Sequence, residues 1–281
     1  MNRLSQIVPL QHDSIVSPYP AAGWRAAFAD LGRKGFTGVE IAVTYPERID
    51  VSALCRAAAE NHLAVTTIST GQSYWEEGIS LTAPNPAVRA RAAAIVRGHV
   101  DLSARIGRPP VTIGLLRGQP EDGAAALELL AQELLPLAAY AAGRGVVLQV
   151  EPIRRVETTL LNSTAETLAF LHRLGDPANV GVLFDTFNSS LEDGDVAAAA
   201  RLAAGRITNL HVVDSDCTLP GCGTLDLPAV LAAALEAGYA GAFTLETLNL
   251  PSREYVLEHE AEALHRTVQA ARRLRASAAT E

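Results

Sequence analysis

Short apolar runs alternate along the chain with longer segments of helical periodicity. The runs are nearly continuous and rich in Val, Ile and Thr, which is typical of strands covered on both faces. They occupy residues 4–10, 38–43, 63–69, 110–115, 146–151, 180–185, 207–213 and 242–246. The helical segments that follow them occupy residues 24–34, 51–61, 87–106, 121–144, 163–175, 195–205, 227–237 and 252–277. The pattern therefore predicts eight strand–helix units.

Strands that alternate with helices form right-handed βαβ units around a parallel sheet. Eight units in 281 residues predict an α/β fold of the (β/α)8, or TIM barrel, type. No linker or compositional break divides the chain, so we expect one barrel domain over residues 1–281. An open doubly wound sheet is the alternative, although no glycine-rich phosphate-binding motif follows the first strand.

Charge and cysteine content narrow the function classes. A formal net charge of −8 is poorly suited to binding nucleic-acid phosphates, and we interpret the basic segment 266–275 as the solvated face of the last helix. Three cysteines argue against a disulfide framework, and Cys217 and Cys222 lack the second pair that a zinc site needs. Residues 1–10 do not resemble a signal peptide, and no apolar run approaches the ~18 residues of a membrane span. We expect a cytoplasmic protein without membrane contact.

Polar residues stand at the ends of the last four predicted strands. Glu151, Asp185 and Glu246 end the fifth, sixth and eighth strands, and His211 lies two residues before the apparent end of the seventh. They are separated by ~26–35 residues, about one strand–helix unit each. Because active sites of such barrels lie at the carboxyl ends of strands, we expect these four side chains to converge there.

Three converging carboxylates repel one another unless a cation lies between them. Oxygen donors with one imidazole suit Mn²⁺, Mg²⁺, Co²⁺ or Zn²⁺, with water or substrate completing the coordination. A lone Glu or His at a strand end is often structural, but the set of four predicts a divalent-metal site.

Several longer motifs surround these four residues and the earlier strands. They are GVEIAV (38–43), TGQSYWEEGISL (70–81), HVDLSARIGRPPVTIGLLRG (99–118), EPIRRVETTLLNS (151–163), GVLFDTFN (181–188), NLHVVDS (209–215) and FTLE (243–246). Together they resemble the xylose isomerase-like superfamily of sugar isomerases and epimerases, and most closely its ketose 3-epimerase branch. The resemblance spans almost the whole chain.

The resemblance implies roles for individual residues. In the family, the positions of Glu151, Asp185, His211 and Glu246 hold a divalent metal, for which we favour Mn²⁺. Glu151 and Glu246 would also move a proton from opposite faces of a sugar, and Glu157 would hydrogen-bond the substrate. The implied reaction is isomerisation or epimerisation beside a carbonyl, through an enediolate that the metal stabilises.

Three positions depart from the family pattern. Arg154 replaces the Asn that usually follows Glu-Pro-x, Asn188 replaces the His three residues after the Asp ligand, and Cys217 stands near the place of an Arg. Arg154 is interpreted either as a ligand for a substrate phosphate or carboxylate, or as a surface ion pair with a nearby Glu. Asn188 can still donate a hydrogen bond to substrate, but it cannot titrate as His would.

Further substrate-binding candidates lie in loops that we expect at the mouth of the barrel. Arg117 ends the loop after the fourth strand. Trp75, next to Tyr74, follows the third strand and would form either an apolar wall over a sugar or an exposed lid tip. His12 follows the first strand and is a weaker candidate.

The leading hypothesis is thus a metal-dependent isomerase or epimerase of a sugar, sugar phosphate or related keto-polyol, acting as a homo-oligomer (dimer or tetramer). A dehydratase that shares the enolate step is the main alternative. A non-catalytic sugar-binding barrel is a further one. A nuclease of the endonuclease IV type would require more histidine ligands and a basic face, so we do not expect it.

Overall fold

Parallel strands form a closed barrel at the centre of the molecule. The computed structural model describes residues 2–121 and 123–278. The strands are β1 (Leu4–Pro9), β2 (Gly38–Ala42), β3 (Ala64–Ser69), β4 (Val111–Ile113), β5 (Leu148–Val150), β6 (Val180–Asp185), β7 (Ile207–His211) and β8 (Phe243–Leu245). They pair in sequence order, and β8 pairs with β1 to close the barrel. The predicted (β/α)8 barrel is confirmed, and the open doubly wound alternative is wrong.

Helices surround the barrel. They are α1 (Trp24–Arg33), α2 (Val51–Glu60), α3 (Gly71–Glu77), α4 (Pro86–Arg105), α5 (Gly123–Ala142), α6 (Thr164–Arg173), α7 (Thr186–Glu192), α8 (Val196–Leu202), α9 (Leu227–Glu236) and α10 (Arg253–Ala278). The short helices α3 and α7 were not predicted, and both lie directly after strands at the mouth. A capping box opens α6, because the Ser163 side chain accepts from the Glu166 N–H while the Glu166 carboxylate accepts from the Ser163 N–H.

Helix α5 is 20 residues long and apolar enough, by length and composition alone, to cross a membrane. Its apolar side chains have another explanation in the fold. Leu130, Leu134 and Leu137 are completely buried in the hydrophobic core. Burial of each such side chain contributes about 1.5–3 kcal/mol. Packing in the core therefore accounts for the composition of this helix.

The barrel interior also contains polar side chains on the strands. Gln6, Glu40, Gln149, Asn209 and Thr244 are all completely buried. Buried polar groups are stable only when they are hydrogen-bonded. Gln149, for example, donates to Thr112 Oγ1 and accepts from the Thr208 hydroxyl. Hydrogen bonds thus join several of these side chains across neighbouring strands, and those of Glu40 and Asn209 reach the site described next.

Candidate functional site

Four potential metal ligands meet at the carboxyl end of the barrel. Glu151 and Glu246 directly follow β5 and β8, and Asp185 and His211 are the last residues of β6 and β7. The expectation that His211 lies two residues inside its strand is wrong, since β7 ends at His211 itself. One ligand atom from each residue lies within 4.8 Å of the others. The structure thus brings the four predicted side chains together.

The imidazole of His211 lies at the centre of this group. Its Nδ1 is 2.8 Å from Glu246 Oε2 and 3.6 Å from Asp185 Oδ2. Nδ1 is buried, yet neither neighbour is aligned to form a hydrogen bond with it. A buried nitrogen without a hydrogen-bond partner, facing two carboxylates, fits a metal ligand. The donor set of three carboxylates and one imidazole fits a divalent cation.

Crowding of the acidic groups perturbs their proton affinities. Burial, followed by the charge of Glu246, raises the pKa of Glu151 well above its usual range. Burial also raises the pKa of Glu246, although the adjacent His211 opposes this. Burial alone would lower the pKa of His211, but the charges of Glu40 and Glu246 raise it well above its usual range. Without a cation, the cluster therefore retains protons to offset its negative charge.

Gly114, immediately after β4, lies against the carboxylate of Glu151. A β-carbon at this position would meet Glu151 Oε2 at 2.9 Å, closer than real β-carbons approach other atoms. The absence of a side chain at Gly114 therefore leaves the space that the Glu151 carboxylate occupies. This contact links the fourth strand to a ligand on the fifth.

Sequence reasoning missed Glu40 on β2, which lies beneath the ligands. Its carboxylate is completely buried, and Glu40 Oε2 is 3.1 Å from His211 Nε2 and 2.8 Å from Asn209 Nδ2. Ser69 Oγ donates to the other carboxylate oxygen. Burial alone would raise the pKa of Glu40, but the charge and hydrogen bond of His211 bring it below its usual range. An acidic residue inside an apolar strand motif was the available signal.

Glu157, Arg154 and Asn188 lie together at the edge of the site. Arg154 Nε donates to Glu157 Oε1 at 2.6 Å, and Arg154 Nη2 also pairs with that oxygen. The Asn188 side-chain oxygen accepts from the Arg154 N–H at 3.3 Å, and the Asn188 N–H donates to Asp185 Oδ1 at 2.7 Å. Of the two interpretations of Arg154, the ion pair with a nearby Glu is the one present. Both side chains are about one-third exposed, so the pair faces solvent at the mouth.

Arg117 does not lie open to the mouth. Its side chain is completely buried. Its guanidinium nitrogens donate to the carbonyl oxygens of Leu160 at 3.0 Å, Gly114 at 3.1 Å and Leu161 at 3.3 Å. Burial lowers the pKa of Arg117 to about 10. The guanidinium therefore joins the loop after β4 to the loop after β5. This placement gives no support to the predicted contact with substrate.

His12 and Trp75 lie in the segments after β1 and β3. His12 Nδ1 is 3.6 Å from Glu76 Oε2, and its ring lies 5.9 Å from the ring of Tyr45. Trp75 is 68% exposed and packs edge-on against Tyr74. Trp75 was expected to form either an apolar wall over a sugar or an exposed lid tip, and its side chain is exposed in the structure. Neither side chain contacts the four ligands.

Cys217 occupies the loop after β7 near the ligands. Its thiol lies 3.9 Å from the carbonyl oxygen of Glu246, and its own carbonyl accepts from the Leu248 N–H at 2.8 Å. Burial, followed by the charge of Asp185, raises the pKa of the Cys217 thiol to about 12. The side chain is therefore a neutral, weakly polar group at neutral pH. It offers no positive charge to a substrate.

Comparison with known proteins places this architecture in a family. The family model described as xylose isomerase-like TIM barrel matches residues 28–274. An L-ribulose 3-epimerase from Mesorhizobium japonicum is 30% identical over 233 residues, covering 79% of this chain and 74% of that protein. An L-ribulose 3-epimerase from Methylomonas sp. is 28% identical, covering 82% and 80%.

Solved structures show the same similarity. A structure of L-ribulose 3-epimerase superposes with a TM-score of 0.83 at 25% identity, covering 97% of this chain and 96% of that one. A 3-keto-D-glucoside 4-epimerase from E. coli superposes with a TM-score of 0.78 at 17% identity, covering 95% and 99%. The second likeness concerns the fold alone.

Proposed function

Because the chain belongs to the xylose isomerase-like TIM barrel family, we propose that it is a divalent-metal-dependent sugar epimerase or isomerase. The observation that carries the proposal is the convergence of Glu151, Asp185, His211 and Glu246 within 4.8 Å at the mouth of the barrel. Three carboxylates at one point repel one another, and each would be costly to bury without a partner. The cluster is therefore assigned to a cation.

Mn²⁺ is the favoured ion, and Mg²⁺, Co²⁺ or Zn²⁺ are the alternatives. An oxygen-rich set with a single imidazole suits Mn²⁺ better than the nitrogen- and sulfur-rich sites that select Zn²⁺. The bound cation would supply Lewis acidity and positive charge beside the substrate oxygens. The ligand set also predicts that binding depends on pH, since the carboxylates must lose their protons.

The two glutamates would carry the proton transfers. Glu151 and Glu246 come from strands three positions apart in the barrel and reach the same point from different sides. One carboxylate removes the proton from the carbon beside the carbonyl, and the other returns a proton to the opposite face of the enediolate. Return to the same carbon gives epimerisation, and return to the neighbouring carbon gives isomerisation.

The substrate we propose is a ketose, because relatives that match most of the chain are L-ribulose 3-epimerases. Glu157 would accept a hydrogen bond from a sugar hydroxyl, and Arg154 would hold its carboxylate in place through their ion pair. Asn188 and Cys217 supply neutral groups where the family pattern has His and Arg. Arg154 adds a positive charge where the pattern has Asn, but Glu157 pairs with it. None of these three positions therefore presents an unpaired positive charge, which favours an uncharged sugar over a sugar phosphate.

The test begins with metal analysis of the purified full-length protein. The protein is then stripped with EDTA, reloaded with Mn²⁺ and incubated in D₂O with L-ribulose, D-allulose, D-fructose and D-tagatose. We expect NMR to detect deuterium on the carbon beside the carbonyl of at least one ketose. We expect chromatography to detect the epimer of that ketose. A sugar phosphate panel serves as the comparison for substrate charge.

Glu246→Gln and Glu151→Gln should abolish exchange, whereas Glu60→Gln on the exposed surface should leave it unchanged. Full turnover by Glu246→Gln with metal bound would contradict the assignment. Absence of exchange in every ketose by the Mn²⁺-loaded protein would contradict the epimerase proposal. Release of water from a keto-polyol would instead favour the dehydratase alternative. A 3-dehydroshikimate dehydratase from Pseudomonas aeruginosa matches 43% of this chain at 31% identity, covering 21% of that protein.

Assembly into dimers or tetramers and a cytoplasmic location stay predictions from the family resemblance. Light scattering on the purified protein at several concentrations measures the first. Fractionation of the native cells measures the second.

A further inference from the structure

A completely buried carboxylate lies below the ligands without belonging to them. Glu40 comes from β2, and it reaches across the barrel interior to His211 and Asn209 on β7. In the closed barrel, β2 and β7 are separated by β1 and β8. A buried carboxylate is costly unless it is fully partnered. Its position therefore requires an explanation in terms of what its partners do.

The hydrogen bonds around Glu40 determine which nitrogen of His211 carries a proton. An ionised carboxylate only accepts hydrogen bonds. Glu40 Oε2 lies 3.1 Å from His211 Nε2, so Nε2 must be the protonated nitrogen, because two acceptors at this distance would repel. A neutral imidazole with its proton on Nε2 has a free electron pair on Nδ1. Nδ1 is the atom that faces Glu246 and Asp185.

Other side chains hold the Glu40 carboxylate in this orientation. Asn209 Nδ2 donates to Glu40 Oε2 at 2.8 Å, and Ser69 Oγ donates to the second oxygen. The Thr244 hydroxyl donates to Asn209 Oδ1 at 3.2 Å, which directs the amide nitrogen of Asn209 towards Glu40. Four strands thus contribute to one chain of hydrogen bonds that ends at the imidazole.

We propose that Glu40 is a positioning residue, which fixes the tautomer and ring orientation of His211 so that Nδ1 is presented to the metal. The inference rests on the proposed metal-dependent function. Residues that orient a metal-binding imidazole in this way change metal affinity or activity by about 10–100-fold when they are replaced. Glu40 itself does not touch the metal or the substrate in this proposal.

The experiment compares Glu40→Met, Glu40→Gln and wild type by isothermal titration with Mn²⁺ after EDTA treatment. Glu40→Met removes the acceptor, and we expect its dissociation constant for Mn²⁺ to rise by about 10–100-fold. Glu40→Gln can still accept through its amide oxygen, so its loss should be smaller. Glu260→Gln is the matched control: this carboxylate, on α10, is also completely buried, but it pairs with Lys34, at the C-terminal end of α1, and with Tyr19, in the loop after β1.

The visible spectrum of the Co²⁺-loaded protein reports on the ligand geometry directly. We expect the Co²⁺ bands to shift in Glu40→Met and to return towards the wild-type spectrum in Glu40→Gln, while Glu260→Gln keeps the wild-type spectrum. If Glu40→Met does not fold, Glu40→Gln alone must show weaker Mn²⁺ binding than Glu260→Gln. Wild-type affinity and an unchanged Co²⁺ spectrum in the Glu40 variants would overturn the inference. Failure of the wild type to bind any divalent ion would instead overturn the proposed function.

Discussion

A methyl group on Gly114 provides a precise way to displace one ligand. In Gly114→Ala, the new β-carbon would lie 2.9 Å from Glu151 Oε2, whereas ordinary contact begins at 3.4 Å. The carboxylate must therefore move away by about 0.5 Å. The other neighbours of the new β-carbon, Ile153 and Thr112, are at ordinary contact distances and need not move. The carboxylate is the end of a flexible side chain and can move more cheaply than backbone. The perturbation thus falls on the proposed ligand and base.

The expected loss follows from the size of this movement. Misplacement of a reacting group by 1 Å can cost about 100-fold in rate, so a movement half as large should lower kcat by about tenfold, equivalent to about 1.4 kcal/mol. The affinity for Mn²⁺ should fall in the same range. Stability of the EDTA-treated protein should fall by no more than about 1 kcal/mol, or about 2–4 °C in Tm.

The assay uses Mn²⁺ titration, ketose turnover and thermal unfolding of Gly114→Ala beside Gly71→Ala. Gly71 begins α3 after β3, and a β-carbon there would meet nothing within 4 Å. The control should therefore keep wild-type metal affinity and kcat. Wild-type Mn²⁺ affinity and kcat in a folded Gly114→Ala protein would refute the reasoning that this contact positions Glu151.

Three further outcomes can be measured by thermal unfolding. Mn²⁺ at about 1,000 times its dissociation constant should stabilise the EDTA-treated protein by about 4 kcal/mol. The stabilisation should be smaller at pH 5 than at pH 7.5, because the raised pKa values of Glu151 and Glu246 make protons compete with the cation as pH falls. An equal shift in Tm at both pH values would contradict this. Lys34→Met leaves Glu260 buried without its cation, 2.7 Å away in the native protein, and should cost about 3 kcal/mol at pH 8. Burial raises the pKa of Glu260, and stability held by a raised pKa is present at low pH and lost as pH rises, so the cost should shrink at pH 5. Arg117→Met leaves buried carbonyls without hydrogen bonds, so it should lower the free energy of unfolding by about 3 kcal/mol and lower Tm accordingly. If Arg117 instead contacted substrate, the variant would show a higher KM at an unchanged Tm.

The strand–helix order and the ligand quartet could be predicted because both follow from local patterns. Apolar runs bounded by helix caps mark the units, and the fold itself requires strand ends to meet at the mouth. The positions of Glu151, Asp185 and Glu246 at the ends of predicted strands were therefore enough to predict that they lie at the mouth of the barrel. The end of β7 was predicted two residues late, because Val212 and Val213 are as apolar and as buried as a strand.

Side-chain direction and contacts between distant strands could not be predicted in the same way. Arg117 follows a strand like a mouth residue, but its guanidinium turns inward to backbone carbonyls. Glu40 has no partner within its own strand, since its hydrogen bonds join it to Ser69 on β3 and to Asn209 and His211 on β7, more than 160 positions away. The short helix α7 was hidden because Asp185 serves both as a strand end and as the residue that caps the helix.

The uneven distribution of ligands around the barrel has an evolutionary consequence. Glu151, Asp185, His211 and Glu246 all belong to the second half of the strand order, β5 to β8. The segments after β1 and β3, which carry His12 and Trp75, contribute none of the four. Mutation, insertion or recombination in those segments can therefore accumulate without changing any of the four ligands. Within the first half, change should be constrained at Glu40 on β2, which is hydrogen-bonded to His211, and at Gly114 after β4, which lies against the Glu151 carboxylate.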